Sequence, residues 1–324
     1  MPRKRPAPSV EGALLINKPA GKTSHDVVDA VRRILGFREI GHLGTLDPLA
    51  TGVLALLLGR ATRLARFYAG RRKRYACAIR FGFATDTYDA DGTPTGPDAA
   101  PEITLQQAEA LAAEFVGRFP QMPPSFSAKK IHGRPAHELA RKKKPVVLKE
   151  VEVEVYEFRV TGVEGSVARC VIECGAGTYI RSLAHEMGRR QGSGAHLAEI
   201  SRTAVGEFTL DQTITLHELS EAAKAGRLNE VVLPLERLLS EMPRITVLPI
   251  IERRVRHGAR FNVQVSQIQP GRATSAQGAT AQLDSSEQKA PCLRVFNFEE
   301  KLIAIAEAVV PRTYQPVVVL DAAP

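Results

Sequence analysis

The stretch GHLGTLDPLATGVLALLLG, Gly41 to Gly59, sets one aspartate, Asp47, between glycines and an apolar run. A fixed, ionised carboxylate in a glycine-lined cleft can serve as a nucleophile. Gly41 and Gly44 let a ligand approach the backbone closely. The plain structural reading competes with this. Asp-Pro ahead of an apolar run is a helix start, with Asp47 as N-cap, Pro48 as first helical residue and Gly59 near the end. A cap is worth about 1 kcal/mol. The two roles are compatible, because a helix N-terminus favours the carboxylate by roughly 0.3–1 kcal/mol and a basic neighbour adds to that.

Other chemistries fail on spacing. AGKTS (Ala20–Ser24) resembles the end of a phosphate-binding loop, but Ile16 stands where the first glycine belongs. TYDADG resembles a calcium loop, yet Thr87 replaces the first carboxylate, Asp98 replaces the bidentate glutamate, and Pro94 and Pro97 intervene; a turn is expected. The four cysteines, Cys77, Cys170, Cys174 and Cys292, lack the second pair of Cys or His that a zinc site needs. They are expected to be core thiols, not metal ligands or disulfide partners.

The elements around Asp47 read as follows. Ser24 is expected to cap a helix whose apolar face is Val27, Val28, Val31, Ile34 and Leu35, with Gly36 ending it. Tyr75, Cys77, Ile79, Phe81 and Phe83 alternate as a strand does. ITLQQAEALAAEFVGRF reads as a helix with Thr104 and Gln107 as capping box. VEVEVYEFRV and VARCVIEC read as strands, GTYIRSLAHEMGRR as a strand-to-helix transition, and Thr215 with Glu218 as a further cap. From about residue 243 short strands (RITVLPI, CLRVFNFE, LIAIAEAV, QPVVVL) suggest a small β-barrel, interrupted by a polar insert over about 266–290. Strands and helices do not alternate strictly, so the class is α+β.

Composition narrows the partner. The 324 residues hold 44 Lys plus Arg against 35 Asp plus Glu, a formal charge of +9. GRRKRY (Gly70–Tyr75) and ARKKKP (Ala140–Pro145) concentrate that charge. One cluster alone would be a solvated face; several in one chain favour a polyanion such as nucleic acid. The basic N-terminus lacks the apolar stretch of a signal peptide, and the run GVLALLLG is too short to cross a bilayer. A cytoplasmic monomer that engages no membrane is the expected state.

Taken in order, several motifs carry a resemblance. LLINKPAGKTSHDVV, GHLGTLDPLATGVL, KRYACAIRFGFATDTYDADG, QMPPSFSAKKIHGRPAHELAR, CGAGTYIRSLAHEMG and GAHLAEISRT run from about Leu14 to Thr203. Together they resemble the TruB family of tRNA pseudouridine-55 synthases. The resemblance implies a catalytic domain over about 11–242, after a basic tail at 1–10. It implies an RNA-gripping insertion over about 121–150, and 243–324 matches a PUA-like RNA-binding barrel by strand spacing and position. It implies isomerisation of one uridine in the TΨC loop of tRNA to pseudouridine, with the nucleotide flipped out of its stack to be reached.

The same resemblance implies that neither a metal nor an organic cofactor is needed, and it implies roles. Asp47 is the catalytic nucleophile or base, with attack on ribose C1′, attack on uracil C6 and removal of a ribose proton all open. Tyr75 supplies a ring for uracil and a hydroxyl near C5. Arg181 pairs with Asp47, and Tyr179 lines the same pocket. His42 holds the RNA loop open by stacking. Gly44 and Ile200 are expected beside the substrate. Lys18, Lys129, Lys130, Arg141, Lys142, Lys143 and Lys144 are expected to touch phosphates, which position RNA without reading its sequence. Phe126 and His137 depart from the tyrosines that many relatives carry. The rival readings are an RNA-binding protein without catalysis and a nucleotide hydrolase built on AGKTS.

Overall fold

The computed structural model describes residues 10–124, 130–131, 134–135, 149–272 and 292–321. The described strands are β1 (Gly12–Lys18), β2 (Ile40–His42), β3 (Thr51–Leu58), β4 (Lys73–Phe81), β5 (Gly117–Gln121), β6 (Lys130–Ile131), β7 (Arg134–Pro135), β8 (Val151–Glu164) and β9 (Val167–Cys174). They continue with β10 (Ala195–Val205), β11 (Phe208–Thr209), β12 (Val232–Leu233), β13 (Arg244–Thr246), β14 (Phe261–Asn262), β15 (Cys292–Phe296), β16 (Leu302–Val310) and β17 (Thr313–Val319). The helices are α1 (Ser24–Leu35), α2 (Leu105–Ala113), α3 (Ile180–Gln191), α4 (Leu216–Lys224), α5 (Leu228–Val231) and α6 (Pro249–Arg256).

Ten strands form one sheet in the order β12-β1-β3-β10-β4-β9-β8-β5, with β2 on β3 and β11 on β10. Its neighbours pair antiparallel except at one seam. There β3 and β10 run parallel over only two residue pairs, Thr51–Ser201 and Gly52–Arg202. The segment that carries Asp47 enters β3 at this seam. The architecture is the α+β class read from the sequence.

The apolar run after Asp47 is not a helix. Thr51–Leu58 is a strand in which every residue from Gly52 to Leu58 is buried. Leu54, Leu56 and Leu58 face one core, and Val53, Ala55 and Leu57 face another on the opposite side of the sheet. A strand covered on both faces reads as a continuous apolar run, which spacing cannot tell from a short helix. The first core takes the inner faces of α1, α2 and α3 through Val27, Val31, Ala108, Leu183 and Met187.

Other local expectations shift slightly. The cap of α1 is Thr23, which forms a capping box with Asp26, and Gly36 closes the helix in the left-handed conformation. α2 starts at its Thr104–Gln107 box but stops at Ala113, and β5 takes up the residues from Gly117. Gly117 has φ +109° and Phe119 precedes a proline; both oppose helix there. β4 ends at Phe81, so Phe83 lies beyond the strand. The Thr215–Glu218 box opens α4 as expected.

The C-terminal strands form a second sheet in the order β13-β15-β16-β17-β14. RITVLPI supplies only three strand residues before Pro249, at the first turn of α6, starts a helix that strand spacing did not suggest. This sheet shares a core with the large one. Phe296, Leu302, Ile305, Val318 and Leu320 pack in the cluster that holds Leu15, Leu57 and Leu64. Arg60 adds a bond to the carbonyl of Leu320 at 2.7 Å. Cys77, Cys170 and Cys174 are buried free thiols and Cys292 is half-buried, in line with core thiols.

Candidate active site

A cleft of about 730 Å³ opens at the seam. His42, Gly44, Asp47, Tyr75, Tyr179, Arg181 and Ile200 all line it. Seven residues expected at the substrate, scattered over more than 150 positions of sequence, thus share one wall system.

Asp47 sits in a loop tied down from three sides. Ser24 does not cap α1; its hydroxyl accepts from the Leu46 amide at 2.8 Å and donates to the Leu46 carbonyl at 3.1 Å. Arg202 on β10 donates to the carbonyls of Gly44 (3.0 Å), Thr45 (3.4 Å) and Val53 (2.9 Å). Lys18, at the end of β1, donates to the carbonyls of Pro19 (2.9 Å), Pro48 (3.2 Å) and Ala50 (2.6 Å). Buried carbonyls must be paired, and these two cations pair six of them. Lys18 is therefore not a phosphate contact: it is fully buried and its donors are committed to the loop. Burial lowers its pKa to about 8, with Arg202 acting in the same direction and Asp47 against it.

Arg181 is the electrostatic partner of Asp47. Its Nε lies 2.9 Å from Asp47 Oδ2. Its other arm reaches Asp89 Oδ2 and the Thr87 carbonyl, each at 3.2 Å. The arginine side chain is only 6 % exposed, so it is no ordinary surface arginine at a helix start. It stands in the first turn of α3, whose N-cap residue Tyr179 is braced by Gln121: the Gln121 side chain accepts from the Tyr179 amide at 2.8 Å and donates to the Tyr179 carbonyl at 3.0 Å. No helix dipole holds Asp47 ionised; Arg181 and Lys18 do that work. The walls of the cleft outweigh them and raise the Asp47 pKa above the usual carboxylate value, with Asp89 adding to the rise.

Tyr75 faces this pair from β4, where it pairs with Arg202 of β10. It is buried, and burial pushes its pKa up to about 12. The phenol stays protonated at neutral pH and can donate a hydrogen bond. His42 lies on the rim, where its Nδ1 accepts from the Gly44 amide at 3.3 Å. Burial, then Arg202 and His25, lower its pKa. A neutral flat ring is suited to stacking rather than to charge pairing.

Three residues of the site escaped the sequence. Asp89 hid inside the TYDADG decoy, whose turn is real but whose carboxylate is buried. Arg202 is 1 % exposed on a strand with register shifts on either side, which blur the alternation that marks inward positions. Lys73 lines the cleft although it belongs to a cluster that reads as surface. Of the expected phosphate contacts, Lys129, Arg141, Lys142, Lys143 and Lys144 lie outside the described residues, as do Phe126 and His137; Lys130 is placed only as backbone in β6. Among the described residues no three of His, Cys, Asp and Glu converge to hold a metal. None of the described helices is long and apolar enough to cross a membrane.

The fold has a solved counterpart in a chain of an H/ACA ribonucleoprotein determined with a substrate RNA containing 2′-deoxyuridine. The similarity has a TM-score of 0.69 at 23% identity and covers 97% of this chain and 85% of that one. That likeness defines the architecture. Family models go further: residues 32–180 match the N-terminal domain of TruB family pseudouridylate synthases, and residues 181–240 match the C-terminal domain of tRNA pseudouridylate synthase B. The tRNA pseudouridine synthase B of Solibacter usitatus is 42% identical over 311 residues, covering 96% of this chain and all of that protein. That of Aquifex aeolicus is 37% identical over 257 residues, covering 79% and 88%. The chain belongs to the TruB family of pseudouridylate synthases.

Proposed function

We propose that this protein is a tRNA pseudouridine synthase acting on uridine 55 in the TΨC loop. The observation that carries the reading is the Asp47–Arg181 pair, held against a protonated Tyr75 at the floor of one cleft. Relatives named tRNA pseudouridine synthase B, alike over most of the chain, support tRNA as substrate.

The reaction breaks the N1–C1′ bond, turns the uracil and joins C5 to C1′. The C5 proton is released and N1 gains one, so the product is an isomer. Asp47 supplies the carboxylate for attack on C1′, for attack on C6, or for removal of a ribose proton. Arg181 keeps it charged and oriented. Tyr75 lies against the uracil and donates toward it. The neutral His42 ring takes the space the flipped base leaves. Recognition rests on the folded shape of the TΨC arm, gripped by the cations of the 121–150 insertion, Lys129, Lys130 and Arg141 to Lys144 among them. The C-terminal unit, from about residue 243, adds a second RNA-binding surface. The work is cytoplasmic, where tRNA is modified.

The test is tritium release from unmodified tRNA labelled at uracil C5, by wild type and by Asp47→Asn. C5 loses its hydrogen only on becoming the glycosidic carbon. Wild type is expected to release tritium while Asp47→Asn binds tRNA and releases none. Equal release by both would overturn the assignment of Asp47.

A further inference from the structure

The GRRKRY cluster looked like one patch of charge, but the fold sorts it. Arg71 pairs with Glu241. Arg72 lies 3.2 Å from Glu173 and stacks over the Tyr156 ring at 3.6 Å. Arg74 lies 3.0 Å from Glu157. Each arginine is thus neutralised by an acid of the protein itself.

Lys73 is treated differently. Of the cations of the cluster, Lys73 is the one among the residues lining the cleft. Its Nζ donates to the Arg71 carbonyl at 3.2 Å, and no carboxylate pairs with it among the described residues. Its Cε lies 3.6 Å from where Gly44 would carry a Cβ, so the lysine stem runs along the Asp47 loop through space that a glycine leaves open. It precedes Tyr75 by two residues on β4, on the same face of the strand and about 7 Å away. Arg202, another cation, acts on Lys73, and three of its own donors go to the carbonyls of Gly44, Thr45 and Val53. A half-buried ammonium beside a second cation, with donors to spare, is costly until an anion arrives.

We propose that Lys73 is a phosphate ligand of the cleft: its ammonium binds the RNA backbone phosphate next to the uridine that lies against Tyr75. This rests on the pseudouridine synthase reading and adds a substrate subsite to it. The anion is a phosphodiester of the substrate and not the reacting carboxylate, since Asp47 is already paired with Arg181 at 2.9 Å. Burial and Arg202 lower the Lys73 pKa in the absence of RNA, and a bound phosphate reverses that direction.

The experiment is a scan of T-arm hairpins in which single phosphates around the target uridine are replaced by neutral methylphosphonates. Binding is measured for wild type, Lys73→Met and Lys73→Arg, with melting curves to establish that each variant is folded. Wild type is expected to lose about tenfold in affinity at one linkage flanking the uridine, a loss of the size of one charged hydrogen bond. Lys73→Met loses nothing further at that linkage, and Lys73→Arg restores the penalty. The plot of log affinity against log salt for Lys73→Met is shallower by about 0.7, one single-strand phosphate contact. Equal penalties for wild type and Lys73→Met at every linkage, or an unchanged salt slope, would overturn the proposal. Lys73→Gln replaces Lys73→Met if the latter fails to fold. Tritium release by wild type from intact tRNA separates the two readings: without it the proposed function fails, whereas with it and with equal penalties only the Lys73 subsite fails.

Discussion

Arg181 holds two carboxylates at once, Asp47 through Nε at 2.9 Å and Asp89 through its other arm at 3.2 Å. The two acids differ in exposure. The Asp89 side chain is 6 % exposed and that of Asp47 is 44 % exposed, toward the cleft. Asp89 is itself fixed by Thr87, whose hydroxyl donates to Oδ1 at 2.5 Å. One acid anchors the arginine, and the arginine presents the other.

It follows that Asp89→Asn weakens catalysis without touching substrate. The amide keeps the shape but loses the charge that fixes Arg181, and a small displacement of a reacting group can cost about 100-fold. The single-turnover rate of tritium release is expected to fall roughly 10- to 100-fold with tRNA affinity unchanged. A rate equal to that of wild type would show that Arg181 is held well enough by the Thr87 carbonyl alone.

The raised pKa of Asp47 has a sign that can be measured. Protonation silences the carboxylate, so activity falls as pH drops through that pKa. The acid limb of the single-turnover profile is expected above the ordinary 3.8. Arg181 opposes the rise, so Arg181→Met moves the limb further toward neutral pH, in addition to lowering the rate. A limb that stays in place would mean that some group other than Asp47 sets it.

How much of this was legible depends on where each signal lies. That Asp47, Tyr75 and Arg181 share one cleft was expected because each sits in a short motif of the resemblance. The strand nature of Thr51–Leu58 was not, because burial on both faces erases the period of two. Asp89 and Arg202 were not, because a buried charge is defined by partners far away in sequence: Arg181 lies 92 positions from Asp89, and Val53 lies 149 from Arg202. The burial of Lys18, expected at a phosphate, was hidden for the same reason. A lysine after an apolar run looks like the end of a strand reaching solvent, and the carbonyls of Pro48 and Ala50 that claim it come from 30 and 32 residues on.

Lys18→Met removes the lysine donor from three carbonyls, those of Pro19, Pro48 and Ala50, of which Pro48 keeps the Gly21 amide at 2.9 Å. Destabilisation of about 2 kcal/mol at pH 7 is expected, along with slower catalysis as the Asp47 loop loosens. The pH dependence has a definite direction. The folded chain releases the Lys18 proton at about 8 and the unfolded chain near the ordinary 10.5. Between those values the unfolded state binds more protons, so linkage favours folding as pH rises. Urea unfolding at pH 7 and pH 9 should show wild type gaining on Lys18→Met at the higher pH. A constant gap would place the Lys18 pKa at its ordinary value.

The seam itself can be tested through Gly52. Its φ is +95°, and an added Cβ would lie 2.3 Å from the Arg202 carbonyl oxygen and 2.8 Å from its amide nitrogen. Both are backbone atoms of the neighbouring strand and cannot swing aside. Gly52→Ala must therefore part β3 from β10, carry Arg202 away from Gly44 and Thr45, and free the Asp47 loop. A loss of about 3 kcal/mol or more is expected, combining backbone strain with lost pairing, together with loss of activity. Gly21→Ala is the matched control. It has φ +77° with nothing within 4 Å of the new Cβ, so it carries only the conformational cost of about 1–2 kcal/mol. If chemical denaturation finds the two variants equally stable, the two-residue parallel pairing does not constrain the loop, and the positioning of Asp47 must come from Ser24 and Lys18 instead.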